Sequence, residues 1–114
     1  MARTISGSEG VAANATVQQL AAVNTSTFNP VAVTSRVSVY ATATATGSFL
    51  RLTLGADVHA EDIALQSATL STRDHLVATG VALRGQKITV GARNSTGALI
   101  TVNYYVVIEP LGGA

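Results

Sequence analysis

The chain has 114 residues, enough for one domain with a buried core, and its seven basic and six acidic side chains leave a net charge of +1. This balance excludes strong electrostatic steering of nucleic acid or of acidic partners. Cysteine is absent, which excludes disulfides, and no run reaches the ~18 apolar residues of a membrane span, so we expect no membrane partner.

The chain is poor in ions. Charged residues make up 11% of it, against about 25% in typical soluble domains, whereas its 47% hydrophobic content is ordinary. The polar remainder is mainly Ser, Thr, Asn and Gly. Obligate interfaces lose charged residues at their centres, so we expect other chains to cover much of this surface.

Residues 1–30 are the least regular part of the chain. Alternate apolar residues from Val11 to Val17 can form one strand, and a short helical turn fits residues 18–22. The stretch that ends at Pro30 is typical of a loop. We predict an N-terminal arm over residues 1–30, with room for one strand, before a domain over residues 31–110.

Residues 31–45 alternate between apolar and polar side chains, which predicts a long strand with one buried side. The buried parity carries valine and alanine, and the other carries mainly threonine, serine and tyrosine. Gly47 favours a type II′ hairpin turn, so we predict a hairpin that pairs Ala43 with Leu52.

The middle of the chain is less periodic. Residues 55–62 interrupt the alternation and carry much of the acidity, which predicts a loop. One or two short strands are predicted within residues 63–72, and residues 71–75 form a polar connection. Apolar residues follow over residues 76–83, with glycines at positions 80 and 85.

Two further runs, residues 88–92 and 100–108, alternate clearly and predict a second hairpin. A three-residue loop with Gly97 in the left-handed conformation pairs Ala92 with Ile100. A one-residue shift in this register would expose a whole apolar face.

Seven or eight short strands without a convincing helix indicate an all-β fold. We predict a single antiparallel β-sandwich or jelly roll with little or no helix. Pro110 ends the last strand, and residues 111–114 are predicted to form a C-terminal tail.

Two segments carry side chains of the kinds that metal binding or acid–base catalysis would need. On a strand, Asp57, His59 and Glu61 would share one face and could hold a metal or act as a base. Asp74 and His75 also pair a carboxylate with an imidazole. Because nothing else converges on either segment, solvated loops are the favoured interpretation, and we predict no enzyme activity, cofactor or metal.

Direct contact with nucleic acid is disfavoured by the residues. The first 35 residues hold a single basic side chain, Arg3, whereas coats that package a genome commonly use basic arms. The chain also has only two phenylalanines and three tyrosines on which bases could stack.

The sequences of the predicted strands resemble those of a known family. The runs SRVSVYATATATGSFLRLTLGADV and GQKITVGARNSTGALITVNYYVVIEP, within residues 31–110, resemble the jelly-roll capsid decoration (cement) proteins of tailed bacteriophages. The resemblance implies a structural virion protein on the outer capsid surface, made in the host cytoplasm. It implies a homo-oligomer, for which we favour a trimer over a dimer, that bridges capsomers by binding the major capsid protein.

We expect assembly contacts to use exposed sheet faces, with residues 1–30 ordering on neighbouring subunits. Arg36 and Arg51 are predicted to share one exposed face through the first hairpin. The candidate interface residues are Phe49, Leu99, Tyr105, Val107, Arg36 and Arg51.

Two alternatives stay open at this point. The chain could be another structural subunit of a virion, such as a small coat, tail or fibre protein. Less favoured is a carbohydrate-binding β-sandwich, because sugar sites favour tryptophan and the chain has none.

Overall fold

The alternating runs of the sequence form two four-stranded sheets that pack face to face. The computed structural model describes residues 3–67 and 75–111. Its elements are β1 (Arg3–Val11), β2 (Thr16–Val17), α1 (Ala21–Thr25), β3 (Ser35–Ala43), β4 (Ser48–Leu54), β5 (Asp57–Ala64), β6 (Leu76–Ala82), β7 (Ile88–Asn94) and β8 (Ile100–Pro110). The predicted all-β sandwich with little helix is confirmed.

The strand order is that of a jelly roll. The front sheet has the order β1-β8-β3-β6, and the back sheet has the order β2-β7-β4-β5. The antiparallel pairs are nested along the chain: β1 with β8, β2 with β7, β3 with β6, and β4 with β5. A long hairpin that folds back at Gly55, where φ is 62°, and then rolls up gives this order.

The first predicted hairpin is wrong in its pairing. The chain between Ala43 and Ser48 crosses from the front sheet to the back sheet, so β3 and β4 are not neighbours. Ala43 pairs with Val102 of β8, and Leu52 pairs with Val90 of β7. The predicted buried parity is nevertheless buried in both strands, because each strand packs it against the opposite sheet.

The second predicted hairpin is wrong for the same reason. Ala92 pairs with Leu50 and Val17 in the back sheet, whereas Ile100 pairs with Val11 in the front sheet. Gly97 is not among the glycines with positive φ, which are Gly47, Gly55 and Gly85. The Asn94 side chain instead shapes the connection, since its amide donates to the carbonyls of Val11 and Ala98.

The predicted N-terminal arm is also wrong, because this segment is built into the sandwich. β1 pairs with β8 along its whole length, and Val11, Leu20 and Val23 are fully buried in the core. Glycine and glutamate on the inward parity of β1 conceal its alternation in the sequence. The boundary predicted at residue 30 does not separate two structural units.

At the other end, the Leu111 amide donates to the Thr34 carbonyl at 2.9 Å. The rest of the predicted tail, residues 112–114, lies outside the described residues, as does the part of the predicted strands and connection that falls within residues 68–74.

Two side-chain amides complete the free edge of β7. The Gln19 amide accepts from the Val90 N–H at 2.7 Å and donates to the Ile88 carbonyl at 2.8 Å. The Asn29 amide accepts from the Ile88 N–H at 2.8 Å and donates to the same carbonyl at 2.9 Å. These side chains take the place of a neighbouring strand beyond the short β2, so buried backbone groups stay hydrogen-bonded.

Tyr104 anchors β1 and α1 to the core. Its ring lies over Gly7, where an added Cβ would be only 2.8 Å from the tyrosine hydroxyl. The hydroxyl accepts from the Ala22 N–H at 3.3 Å. Burial raises the pKa of Tyr104 above its ordinary value; the Ala22 hydrogen bond opposes this effect, and Glu9 adds to it.

We expect Gln19→Ala to lower the free energy of unfolding by about 1–3 kcal/mol, because the Val90 N–H loses its acceptor at a buried edge. Urea unfolding measures the change. Gln18→Ala, at the exposed neighbour, is the matched control and should change stability by less than about 0.5 kcal/mol. Equal effects of the two substitutions would contradict this role for Gln19.

Stability should also fall at alkaline pH through Tyr104. Because its folded pKa lies above 10.0, its contribution is complete below about pH 10 and is lost as the pH rises through the folded pKa. Tyr104→Phe should therefore have a shallower alkaline decline in unfolding free energy than the native chain. Parallel declines would show that Tyr104 has no such linkage.

Candidate assembly surface

The outward side of the front sheet, here called the front face, is almost free of ions. Its strands turn one parity into the core and the other outward. Arg36 and Glu109 are the only charged side chains on the outward parity of the four strands as described, and they lie opposite each other in register. The remaining residues of this parity are Thr4, Ser6, Ser8, Gly10, Ser38, Tyr40, Thr42, Leu76, Thr79, Val81, Thr101, Asn103, Tyr105 and Val107. Of these, Thr42 and Ser38 are buried, so they add little to the exposed surface.

Aromatic and aliphatic side chains lie at the centre of this face. Tyr105 of β8 is the register neighbour of Tyr40 of β3, and Val107 lies opposite Ser38. The side chains of Tyr40, Tyr105 and Val107 are half-buried rather than fully exposed. Tyrosine supplies a large contact area at a small cost in rotamer entropy, so this centre is suited to water-excluding contact.

Exposed aliphatic residues extend the front face. Leu99 lies over Gly10 at one end, where an added glycine Cβ would be 3.4 Å from Leu99 Cδ1. The exposed fractions are 66% for Leu99, 52% for Leu76, 45% for Val81 and 57% for Leu83, which follows β6. Four strands about 4.8 Å apart and about 30 Å long give an area on the order of 500 Å². This area is more than half of the roughly 800 Å² per partner of a standard interface.

The back face, the outward side of the back sheet, carries a different chemistry. Phe49 lies there beneath Arg93, whose guanidinium carbon is 4.4 Å from the ring centroid. Arg93 also contacts Asp62, with 3.3 Å between Nε and Oδ1. A groove of about 200 Å³ beside them is lined in part by Arg51 and Glu61. Charges of both signs therefore occupy this face.

The six predicted interface residues are divided between the two faces. Arg36, Tyr105 and Val107 lie on the front face with Leu99 at its end, whereas Phe49 and Arg51 lie on the back face. The prediction that Arg36 and Arg51 share one face is wrong, because it depended on the first hairpin. Phe49 is already in contact with a cation of its own chain, which no local pattern in the sequence indicates.

The acidic segment is a strand rather than the predicted loop. Asp57 to Ala64 form β5 at the edge of the back sheet, where two irregularities in register interrupt its pairing with β4. Almost every side chain in β5 is exposed, so the segment lacks the alternation that would have predicted a strand. The His59 ring lies against Gly80 of β6, where an added Cβ would be 2.6 Å from Nδ1.

The structure does not gather these side chains into a centre. Within residues 3–67 and 75–111, no three histidine, aspartate or glutamate side chains are placed to hold a metal ion. Asp57, His59 and Glu61 are therefore not brought together as ligands. Asp74, the partner predicted for His75, lies outside the described residues.

No family model, curated protein or solved structure matches this chain. Among the described helical residues, none form a helix of the length and hydropathy that crossing a bilayer requires.

The contact between Phe49 and Arg93 can be measured by a double-mutant cycle. We expect a coupling free energy of about 0.5–1 kcal/mol between Phe49→Leu and Arg93→Leu, since exposed cation–π pairs contribute that much. Urea unfolding of the native chain, both single variants and the double variant gives the value. Additive effects would show that the ring and the guanidinium do not interact.

Proposed function

We propose that the protein is a structural virion subunit that self-associates and binds the outside of a phage capsid, where it bridges and stabilises capsomers. The observation that carries the proposal is the chemical difference between the two faces. The front face holds one pair of opposite charges around Tyr40, Tyr105 and Val107, whereas the back face holds an ion pair and a stacked arginine.

The front face is suited to cover by another protein. Desolvating threonine, serine and valine side chains costs far less than desolvating unpaired ions, and the two charged residues, Arg36 and Glu109, are of opposite sign and face each other in register. The back face, with Arg51, Arg93 and Asp62, is better hydrated and suits exposure to solvent. This arrangement supports docking through one side of the sandwich.

The sandwich is also suited to a clamping role. Each strand of the front sheet is held by core residues that are almost fully buried, so the face is presented as a rigid surface. A rigid face loses little conformational entropy when it docks. Many copies on one lattice gain further by avidity, so a modest affinity per copy suffices. The resemblance to jelly-roll decoration proteins agrees with the major capsid protein as partner.

The test uses capsids of the source phage from which the gene for this chain has been deleted. We expect shells to close without the protein and to bind the purified chain in co-sedimentation. Val107→Lys should weaken binding at least tenfold, because a charge is then buried unpaired at the centre of the contact.

Thr53→Lys, at a half-buried position on the back face, is the matched control and should bind as the native chain does. Undiminished binding by Val107→Lys would exclude the front face as the docking surface. Failure of the shells to close without the protein would instead identify it as a coat subunit, and absence from the particles would overturn the proposal.

A further inference from the structure

The two open sheets have four edges, and three of these edges are protected against pairing with another chain. The edge of β7 beyond β2 is completed by the Gln19 and Asn29 amides. The β5 edge carries Asp57 and Glu61 and is irregular in register. Charges and irregularities of this kind are common protections of natural edge strands.

The β1 edge is protected by charge and by α1. Arg3 and Glu9 lie near its two ends, and the Glu9 carboxylate accepts from the Ala21 N–H at 2.7 Å, which holds α1 beside the strand.

The β6 edge is the least protected of the four, because it carries no charged residue. It does contain Gly80, against which the His59 ring of β5 lies, and its pairing with β3 has one irregularity in register. Its sequence, LVATGVA, holds no charged residue and no proline, and its β-branched residues favour strand structure. Its partner in the front sheet is β3, and within the described ranges no hydrogen bond from its opposite edge to another element is found. An uncharged edge strand with an open row of N–H and C=O groups is a template for another strand.

We propose that β6 pairs antiparallel with β6 of a second copy, which joins two four-stranded front sheets into one continuous sheet of eight strands. A second copy is the fitting occupant because it presents the same uncharged edge, and two-fold pairing closes the contact. The exposed Leu76, Val81 and Leu83 of both copies lie near the seam and gain apolar cover.

The pairing deepens the proposed function, and its role in the particle rests on that function. Two front faces would lie side by side in one surface, which doubles the area that one assembly offers to a junction between capsomers. The pairing gives a dimer rather than the trimer favoured from the sequence. A strand of seven residues is about 23 Å long, so the contact is smaller than a standard interface, and we expect micromolar dissociation.

Sedimentation velocity from about 1 to about 200 µM chain spans the expected dissociation range. Salt near 0.15 M limits repulsion between the acidic β5 strands of the two copies, since the screening length is then about 8 Å. We expect the native chain to change from monomer to dimer across this range. Hydrogen exchange should show residues 76–82 more protected at the high concentration, because the N–H groups on the free edge of β6 become hydrogen-bonded to the second copy.

Thr79→Lys places a charge at the middle of β6 and should keep the chain monomeric throughout. Ser6→Lys, on the outward parity of β1 at the opposite edge of the same sheet, is the matched control and should dimerise as the native chain does. Circular dichroism establishes that both variants fold, and Val81→Lys replaces Thr79→Lys if that variant does not.

Any one of four results would overturn the pairing. The native chain could stay monomeric, the β6 lysine variant could still dimerise, or the control could fail to dimerise. The fourth is a dimer without added protection of residues 76–82. Co-sedimentation with capsids separates this result from the proposed function. A monomer that binds capsids leaves that function standing, whereas a dimer that does not bind them overturns the function and leaves the pairing.

Discussion

The inward row of side chains on each strand is buried against the opposite sheet, and the rest of the structure depends on this contact. Neither sheet could cover its own apolar side, because the inward residues of β3, β4, β7 and β8 are almost all aliphatic. Face-to-face packing buries both rows at once and leaves the outward parities to face solvent or partners. The difference between the front and back faces is therefore a difference between two sets of residues that the core does not constrain.

Alternation in the sequence was sufficient to predict which side chains are buried. Val37, Val39, Ile100 and Val102 all lie in the core, as their parity requires. Alternation could not predict which strands pair with each other. An inward valine gives the same local pattern whether the neighbouring strand is close in sequence or far from it. Both predicted hairpins failed on this point, since jelly-roll pairing joins residues far apart in sequence.

The candidate surface was predictable in part for the same reason. Tyr105 and Val107 stand on the polar parity of a clear strand, so their outward position followed from the local pattern. That Tyr40 lies beside Tyr105, and that Phe49 lies under Arg93 on the other side of the molecule, depends on strand order. The acidic strand β5 was missed because an edge strand exposed on both sides has no alternation to detect.

The pairing of β1 with β8 has a consequence for synthesis of the protein. β1 must wait for β8, because β8 is the only strand of the front sheet on which β1 is paired in the described structure. A growing chain on the ribosome therefore cannot close this core until β8 has emerged, and Ile5 and Val11 stay without their native neighbours until then. Folds dominated by such non-local pairings fold in milliseconds to seconds, so new chains expose apolar strands for longer than a helical protein of equal length does.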